Sequence, residues 1–391
     1  MRSNYKKLGP YIKEVDIRNA ENIKKNLLGV STQKVFIKSI ANTVGTNYRR
    51  YKVVKKNQFT YVPDTSRRGD KIGIAMLENL DQALVSQAYT VFKIIDENIL
   101  NPEYLMMWFR RPEFNRYSRF KSHGSVREIF GWQEMCEVEL PIPNIETQRE
   151  IVAEYNTIKN RMALNNQLIQ KLEETAQAIY KQWFVDFDDD QLEYKSLGDL
   201  CSLITDGKHG DCKNELDSGY YFVSVKDLIN GEIIYDNARQ ITKIDFEETH
   251  RRTDLKAGDI LLTNAGTIGR MVIVRNLPET SRTTFQKSVA ILKPKDKVTK
   301  TNYLYLLLKY HLKDIIELAG GSTQSNLLLS DLRNFEIKYP GFDFVRSIEN
   351  KTKPIFEMMG SKGLENQKLS NLKDLLLSKM TKVETEKKLF E

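Results

Sequence analysis

The chain repeats itself at long range. Gly124-Ser125 lines up with Gly321-Ser322, Pro143 with Pro340, Arg149 with Arg346 and Ile151 with Ile348, each pair 197 positions apart without a gap. Asn166-Gln167 then matches Asn366-Gln367, and Leu172 matches Leu372, at a separation of 200, so a three-residue insertion divides the two registers. Repeats of about 20 to 50 residues build solenoids and propellers. A period near 200 in a chain of 391 residues calls instead for two copies of one domain-sized unit, a pseudo-twofold internal duplication, each copy large enough to bury its own core.

Each copy ends in a helical stretch. From Thr147 to Asp186, the residues Ile151, Tyr155, Ile158, Met162, Asn165, Ile169, Leu172, Ala176, Ile179 and Trp183 recur at alternating steps of four and three, the a/d seam of a coiled coil. Phe184 extends its apolar end. Asn165 is the one polar seam position, and a lone buried Asn weakens a seam while fixing its register. The second stretch, Arg346 to about Val383, carries Ile348, Ile355, Met359, Leu369, Leu372, Leu376 and Val383. Pro354 cannot donate a backbone hydrogen bond, and Gly360 and Gly363 loosen the following turn, so this helix is expected to kink or start late.

Residues 1–146 read as a mixed α/β domain. Val35-Phe36-Ile37, Tyr51 to Val54, Gln58 to Val62, Ile72 to Met76 and Ala88 to Phe92 are short β-rich runs divided by turn residues. Asn101-Pro102-Glu103 opens a helix through Tyr104, Leu105, Met107, Trp108 and Phe109. Leu140-Pro141-Ile142-Pro143 closes the domain, and residues 147–190 form the first helix and a connector ending in Asp186-Phe187-Asp188-Asp189-Asp190. Residues 191–342 repeat the mixed domain: Gly258 to Val274 answers Phe59 to Met76, and Thr283 to Ile291 answers Val85 to Phe92. Residues 343–391 form the second helix.

Sixty Lys and Arg against 52 Asp and Glu give a net charge of +8, which favours a polyanionic partner. No apolar run approaches the roughly 20 residues of a membrane span, and Met1 to Lys7 lacks an apolar core, so the expectation is a cytoplasmic protein. Cys136, Cys201 and Cys212 are too scattered for a disulfide framework, and with His209 they make no complete zinc set.

Catalytic signatures are incomplete. Asn101-Pro102-Glu103-Tyr104 lacks the second proline of an Asn-Pro-Pro-Tyr methyltransferase motif, and no glycine-rich cofactor turn precedes it. Gly207-Lys208 is followed by His209, so it is no phosphate-binding loop. Pro63-Asp64 lacks the acidic-x-Lys companion of a nuclease. The polar loops carry basic side chains among Ser, His and Gly, a mixture suited to phosphates and base edges. In the first domain the candidate DNA contacts are Arg67, Arg68, Lys71, Lys121, Ser122, His123 and Arg127. In the second they are Lys208, His209, Asn264, Thr267, Arg282, Gln286, Lys287, Ser322, Thr323 and Gln324.

Several runs together resemble a known family. These are Leu140 to Pro143, Gln148-Arg149-Glu150-Ile151-Val152, Leu168 to Tyr180, Trp183-Phe184-Val185-Asp186-Phe187, Gly258-Asp259-Ile260, Gly266-Thr267-Ile268-Gly269 and Leu364 to Leu369. Over nearly its whole length the chain resembles the specificity subunits of type I restriction-modification systems. The resemblance implies two target-recognition domains of mixed α/β (α+β) fold joined by two long helices in an antiparallel coiled coil, each domain reading half of a split double-stranded DNA target. It also implies two methyltransferase (modification) subunits docked on the helices, with restriction and motor subunits joining them. S-adenosylmethionine, ATP and Mg²⁺ would belong to those partners, leaving this chain non-catalytic and without a cofactor of its own. A helix of 40 residues spans about 60 Å, longer than one DNA turn of about 34 Å, so its length would set an unread spacer between half-sites. Two other classes compete: a coiled-coil assembly scaffold, which predicts no salt-dependent DNA affinity, and a self-contained DNA-modifying enzyme, which predicts activity without partners.

Overall fold

The computed structural model describes all residues except 1–4, 40–44, 67–70, 125–126, 186–191, 237, 321–324 and 382–391, and the side chains of residues 183–185. Two compact units emerge: Met1–Met162 with Gln367–Glu391, and Ala163–Asn366.

In the first unit a four-stranded antiparallel sheet runs in the order Ile12–Val15, Thr90–Ile94, Phe59–Tyr61, Ile74–Met76. Phe59, Thr60 and Tyr61 are all buried, so this central strand is covered on both faces. Phe59 stacks on Phe92 with ring centroids 4.9 Å apart and meets Phe109 edge-on at 5.9 Å, geometries that add to simple burial. The Asn101 carboxamide accepts from Tyr104 N–H at 3.1 Å, and Pro102 occupies the first turn, so the helix Pro102–Arg110 starts where the sequence places it. Six of its residues from Tyr104 to Phe109 are buried, as a helix apolar all round requires. Tyr5–Lys7 pairs antiparallel with Glu139–Pro141, placing Leu140-Pro141 at the end of a short two-stranded ladder. Gln148, fully buried, accepts from Asn101 N–H at 2.8 Å and donates to the carbonyls of Ile99 and Pro143, which ties the start of the first long helix to this domain.

The second unit repeats the sheet strand for strand: Cys201–Asp206, Val289–Pro294, Ile260–Thr263, Met271–Ile273. Glu193–Ser196 pairs with Glu336–Tyr339 in the place of the first unit's terminal ladder. The buried helix Thr301–Tyr310 has no side-chain cap at Lys300; instead Glu349 accepts from the backbone N–H of Asn302 and Tyr303 at 2.8 and 3.2 Å. Beside the framework the copies diverge. Gln82–Val85 pairs antiparallel with Lys52–Lys55, whereas the corresponding Thr283–Phe285 pairs parallel with Tyr221–Val223. The helix Lys243–Thr253 lies in the second unit's divergent region.

The first long helix runs unbroken from Ile145 to Val185 and the second from Phe342 to Lys379. In the first unit Val152 and Tyr155 share a core with Leu377 and Met380, with Ile151 and Leu376 packed against it. In the second unit Asn165 meets Asn366, and Ala176 and Tyr180 share a core with Ile348, Phe356 and Met359, against which Ile169, Leu172, Ile179 and Ile355 pack. Ile158 and Met162 are half-buried.

Three expectations need correction. The second helix does not start late: it begins at Phe342 and continues through Pro354. Pro354 is exposed, so the Asn350 carbonyl it frees can face water, while buried Val345, Ile348, Thr352, Phe356 and Met359 hold the turns on either side. Leu372 does not pack; it is 49% exposed. The inward face passes through Asn366, Leu369, Lys373, Leu376-Leu377 and Met380, and Leu372, placed in the seam by its spacing from Leu369 and Leu376 as well as its match to Leu172, falls beside it. Gly360 and Gly363 do not interrupt the helix, and both have a packing role. A Cβ on Gly360 would lie 2.7 Å from the Arg275 guanidinium, and one on Gly363 2.6 Å from the Glu232 carboxylate. The two glycines form a notch for the Glu232–Arg275 ion pair, closed at 3.1 Å. Trp183, Phe184, Val383 and the acidic run 186–190 lie outside the described residues or side chains.

Candidate nucleic-acid interface

The candidate residues gather at one end of each sheet. In the first domain the chain leaves Phe59–Tyr61 and is met at once by the loop after the helix Pro112–Lys121. Pro63 carbonyl accepts from Phe130 N–H at 2.9 Å, Glu128 carbonyl accepts from Thr65 N–H at 2.9 Å, and His123 and Ile129 exchange two backbone hydrogen bonds at 3.1 and 2.8 Å. The Thr65 hydroxyl donates to Ser122 Oγ at 2.9 Å, and Ser122 donates onward to Ser118 carbonyl at 2.6 Å. Arg119 forms an ion pair with Glu128 across the loop. Gly124 sits at φ +137, and a Cβ there would stand 2.0 Å from Arg127 carbonyl, so the turn admits only glycine. The outcome is a loop clasped at its base, with His123 and Arg127 exposed and Lys121 and Ser122 half-buried at the helix end, where cations favourably face the last carbonyls. Lys71 is exposed ahead of Ile74–Met76. Arg67 and Arg68 lie outside the described residues.

The second domain builds the same clasp. Gly320 and Asn326 exchange backbone hydrogen bonds at 3.2 and 2.9 Å, and Asn264 carbonyl accepts from Leu327 N–H at 2.8 Å. Each of residues 123, 129 and 130 thus has its counterpart 197 positions on, at 320, 326 and 327, so the sequence repeat is also a hydrogen-bonding repeat. Ser322, Thr323 and Gln324 lie outside the described residues.

Around this clasp the structure brings together Lys208, His209, Asn264, Gln286 and Lys287. Lys208 N–H donates to Phe285 carbonyl at 2.8 Å, Lys287 N–H to Lys208 carbonyl at 3.1 Å, and Asn264 N–H to Ser288 carbonyl at 3.0 Å. Gly207 makes the approach feasible: a Cβ there would stand 1.8 Å from Phe285 carbonyl. Thr267 is exposed in the turn between Ile260–Thr263 and Met271–Ile273, and Lys287 is exposed in the turn between Thr283–Phe285 and Val289–Pro294. Asn264 is 5% exposed and its Oδ1 has no hydrogen-bond partner, an acceptor held out of water at a cost of about 1–3 kcal/mol. Arg282 stands apart, exposed at the far end of Thr283–Phe285 next to Gly219.

The charges are not equally free. Lys208 lies 2.6 Å from Glu248 and 3.0 Å from Asp245, and hydrogen bonds to Glu248 and then Asp245 push its ammonium above the ordinary lysine range. Asp245 is drawn down to about 2, first by Lys213 N–H at 2.9 Å and then by Lys208. His209 Nε2 sits 2.8 Å from Asp206 Oδ2. Arg252, from the helix Lys243–Thr253, donates to Asp206 carbonyl at 2.8 Å and to Gly207 carbonyl at 2.5 Å, bracing the loop that carries Lys208. Sequence reasoning missed Arg252 and Glu248 because nothing in linear spacing brings that helix to residue 206. It also passed over Phe120, whose ring is 81% exposed beside the first clasp. All three cysteines are free thiols, with Cys201 and Cys212 buried. Among the described residues no helix is long and apolar enough to cross a membrane.

A duplicated α/β framework that holds constant strands and presents different basic, polar loops at equivalent sheet ends defines a two-domain nucleic-acid-recognition protein. The family model described as the type I restriction modification DNA specificity domain matches residues 4–174 and 190–343, and the chain belongs to that family. It is similar to the type I restriction enzyme HindI specificity subunit of Haemophilus influenzae, 23% identical over 409 residues that cover 84% of this chain and 86% of the relative. It is also similar to the MjaIX specificity subunit of Methanocaldococcus jannaschii, 23% identical over 305 residues covering 73% and 70%. The crystal structure of a type I restriction-modification system S subunit from M. genitalium shares the fold, with a TM-score of 0.54 and 15% identity over 96% of this chain and 95% of that one.

Proposed function

We propose that each domain reads one half of a two-part double-stranded DNA target with the loops clasped at its sheet end, and that the stretch between the half-sites goes unread. As a member of its family the chain serves sequence-specific DNA recognition in a type I restriction-modification complex and is not itself the catalyst. The observation that carries the two-part reading is the repeated clasp, 123–129 and 320–326, on a repeated four-stranded sheet with different side chains in each copy.

In this reading two methyltransferase subunits dock on the long helices as an antiparallel coiled coil, and restriction and motor subunits join them. S-adenosylmethionine, ATP and Mg²⁺ act in those partners, and the complex works in the cytoplasm. The test is methylation mapping of DNA exposed to the chain reconstituted with its methyltransferase partner. Exchange of residues 1–146 for the equivalent domain of a relative with another target should change one half-site alone. A change in both half-sites, or methylation at unsplit sites, overturns the reading.

A further inference from the structure

We propose that Phe120 is a specificity-determining residue, its ring making apolar contact with bases of the half-site read by the first domain. This rests on the two-part DNA reading above. Phe120 is 81% exposed, and no other phenylalanine or tryptophan whose side chain is described is exposed. It stands in the last turn of Pro112–Lys121, whose inward face is spent on buried Phe114 and Ser118. The ring therefore projects from the base of the clasped loop.

Its surroundings suit DNA. The Lys121 ammonium lies 5.9 Å from the ring centroid, and the loop that follows exposes His123 and Arg127. Cations flanking an aromatic ring divide the work as nucleic-acid surfaces do: charge draws phosphate, and the ring meets a base plane or a thymine methyl. The other copy argues against a subunit contact. At the same register, 197 residues on, stands Glu317. Partners that dock alike on both copies need alike residues there, and a carboxylate in place of a ring puts this position among those that distinguish the half-sites. Glu317 would also repel phosphate.

The experiment uses the full chain assembled with its methyltransferase partner, as wild type, F120A, F120L and K121A. Binding is measured on the mapped target and on duplexes bearing single base-pair changes in either half-site. F120A should lose about tenfold in affinity for the intact target and shrink the penalty for at least one change in one half-site, leaving the other half-site's penalties unaltered. F120L should keep part of the discrimination. K121A should weaken all duplexes alike and reduce the salt slope by about one. Unaltered penalties in both half-sites for F120A, with wild type still discriminating, overturn the role of Phe120 alone, as does failure of F120A to assemble with the partner. A wild-type complex that binds every duplex equally overturns the two-part reading and this role with it.

Discussion

Asn165, 2% exposed on the first long helix, donates from Nδ2 to Asn366 Oδ1 on the second at 3.0 Å, and Asn366 returns a bond to Asn166 at 2.8 Å. The polar seam position of one copy finds its partner in the asparagine whose repeat mate is Asn166 itself. Asn165→Leu leaves Asn366 short of a donor and should cost about 1–2 kcal/mol in urea unfolding. The double change Asn165→Leu with Asn366→Leu should recover that loss, because replacing both partners by apolar groups removes the unsatisfied acceptor. A coupling energy below about 0.5 kcal/mol in the double-mutant cycle would show that the two amides act independently.

The glycine notch sets two effects against each other. Alanine at position 363 gains about 1 kcal/mol of helix propensity. It also drives a Cβ to 2.6 Å from the Glu232 carboxylate, in a largely buried ion pair where burial already raises the Glu232 pKa above its ordinary value. Breaking such a pair costs about 3–5 kcal/mol, so Gly363→Ala should destabilise by about 2–4 kcal/mol net, read as a lowered urea midpoint. The same alanine in an Glu232→Ala background should instead be neutral or stabilising.

Lys34 makes stability depend on pH. Only 4% exposed, it donates to Phe109 carbonyl and lies 5.3 Å over the Phe114 ring. Burial, then Arg110 and Lys71, lower its pKa to about 7. Between pH 7 and the unfolded lysine value near 10.4 the unfolded chain holds a proton that the folded chain lacks, so stability rises with pH across that window, and the cost of the buried charge is complete below it. Lys34→Met should therefore stabilise at pH 6 by about 2 kcal/mol and flatten the rise, as followed by urea unfolding at stepped pH. An unchanged slope would show that the ammonium is compensated.

Lysines equal in sequence should differ in their effect on DNA. Lys208 is engaged by Asp245 and Glu248, whereas Lys287 is exposed. Lys287→Ala should weaken binding to every duplex and lower the salt slope by about one. Lys208→Ala should leave the slope nearly unaltered, and a drop equal to that of Lys287→Ala would mean that DNA displaces the two carboxylates.

Deleting residues 167–170 removes about 6 Å of helix. If the helix is the ruler, the spacer in the methylated target must change while both half-site sequences persist. An unchanged spacer in methylation mapping would end the ruler account.

The duplication, the long helices and the start at Asn101-Pro102 were legible because each depends on local chemistry or on like residues at fixed offsets. Pro354 did not delay the helix, because what a proline costs depends on which face it occupies, and a single sequence does not display that. Leu372 misled because neither its spacing from Leu369 and Leu376 nor its match to Leu172 records the direction a side chain takes once the seam shifts by one residue. The site was legible as loops, and the structure gathers Ser122 and His123 at one sheet end and Lys208, Asn264 and Gln286 at the other. The engagement of Lys208 was hidden, since Asp245 and Glu248 reach it from 37 and 40 residues away.

The clasps at 123–129 and 320–326 are closed by main-chain N–H and C=O groups, which every residue except proline supplies in full. Most side chains they carry can therefore be exchanged without undoing the knot beneath them. Such a lineage could drift from one target sequence to another by point changes, keeping its foldedness at every step.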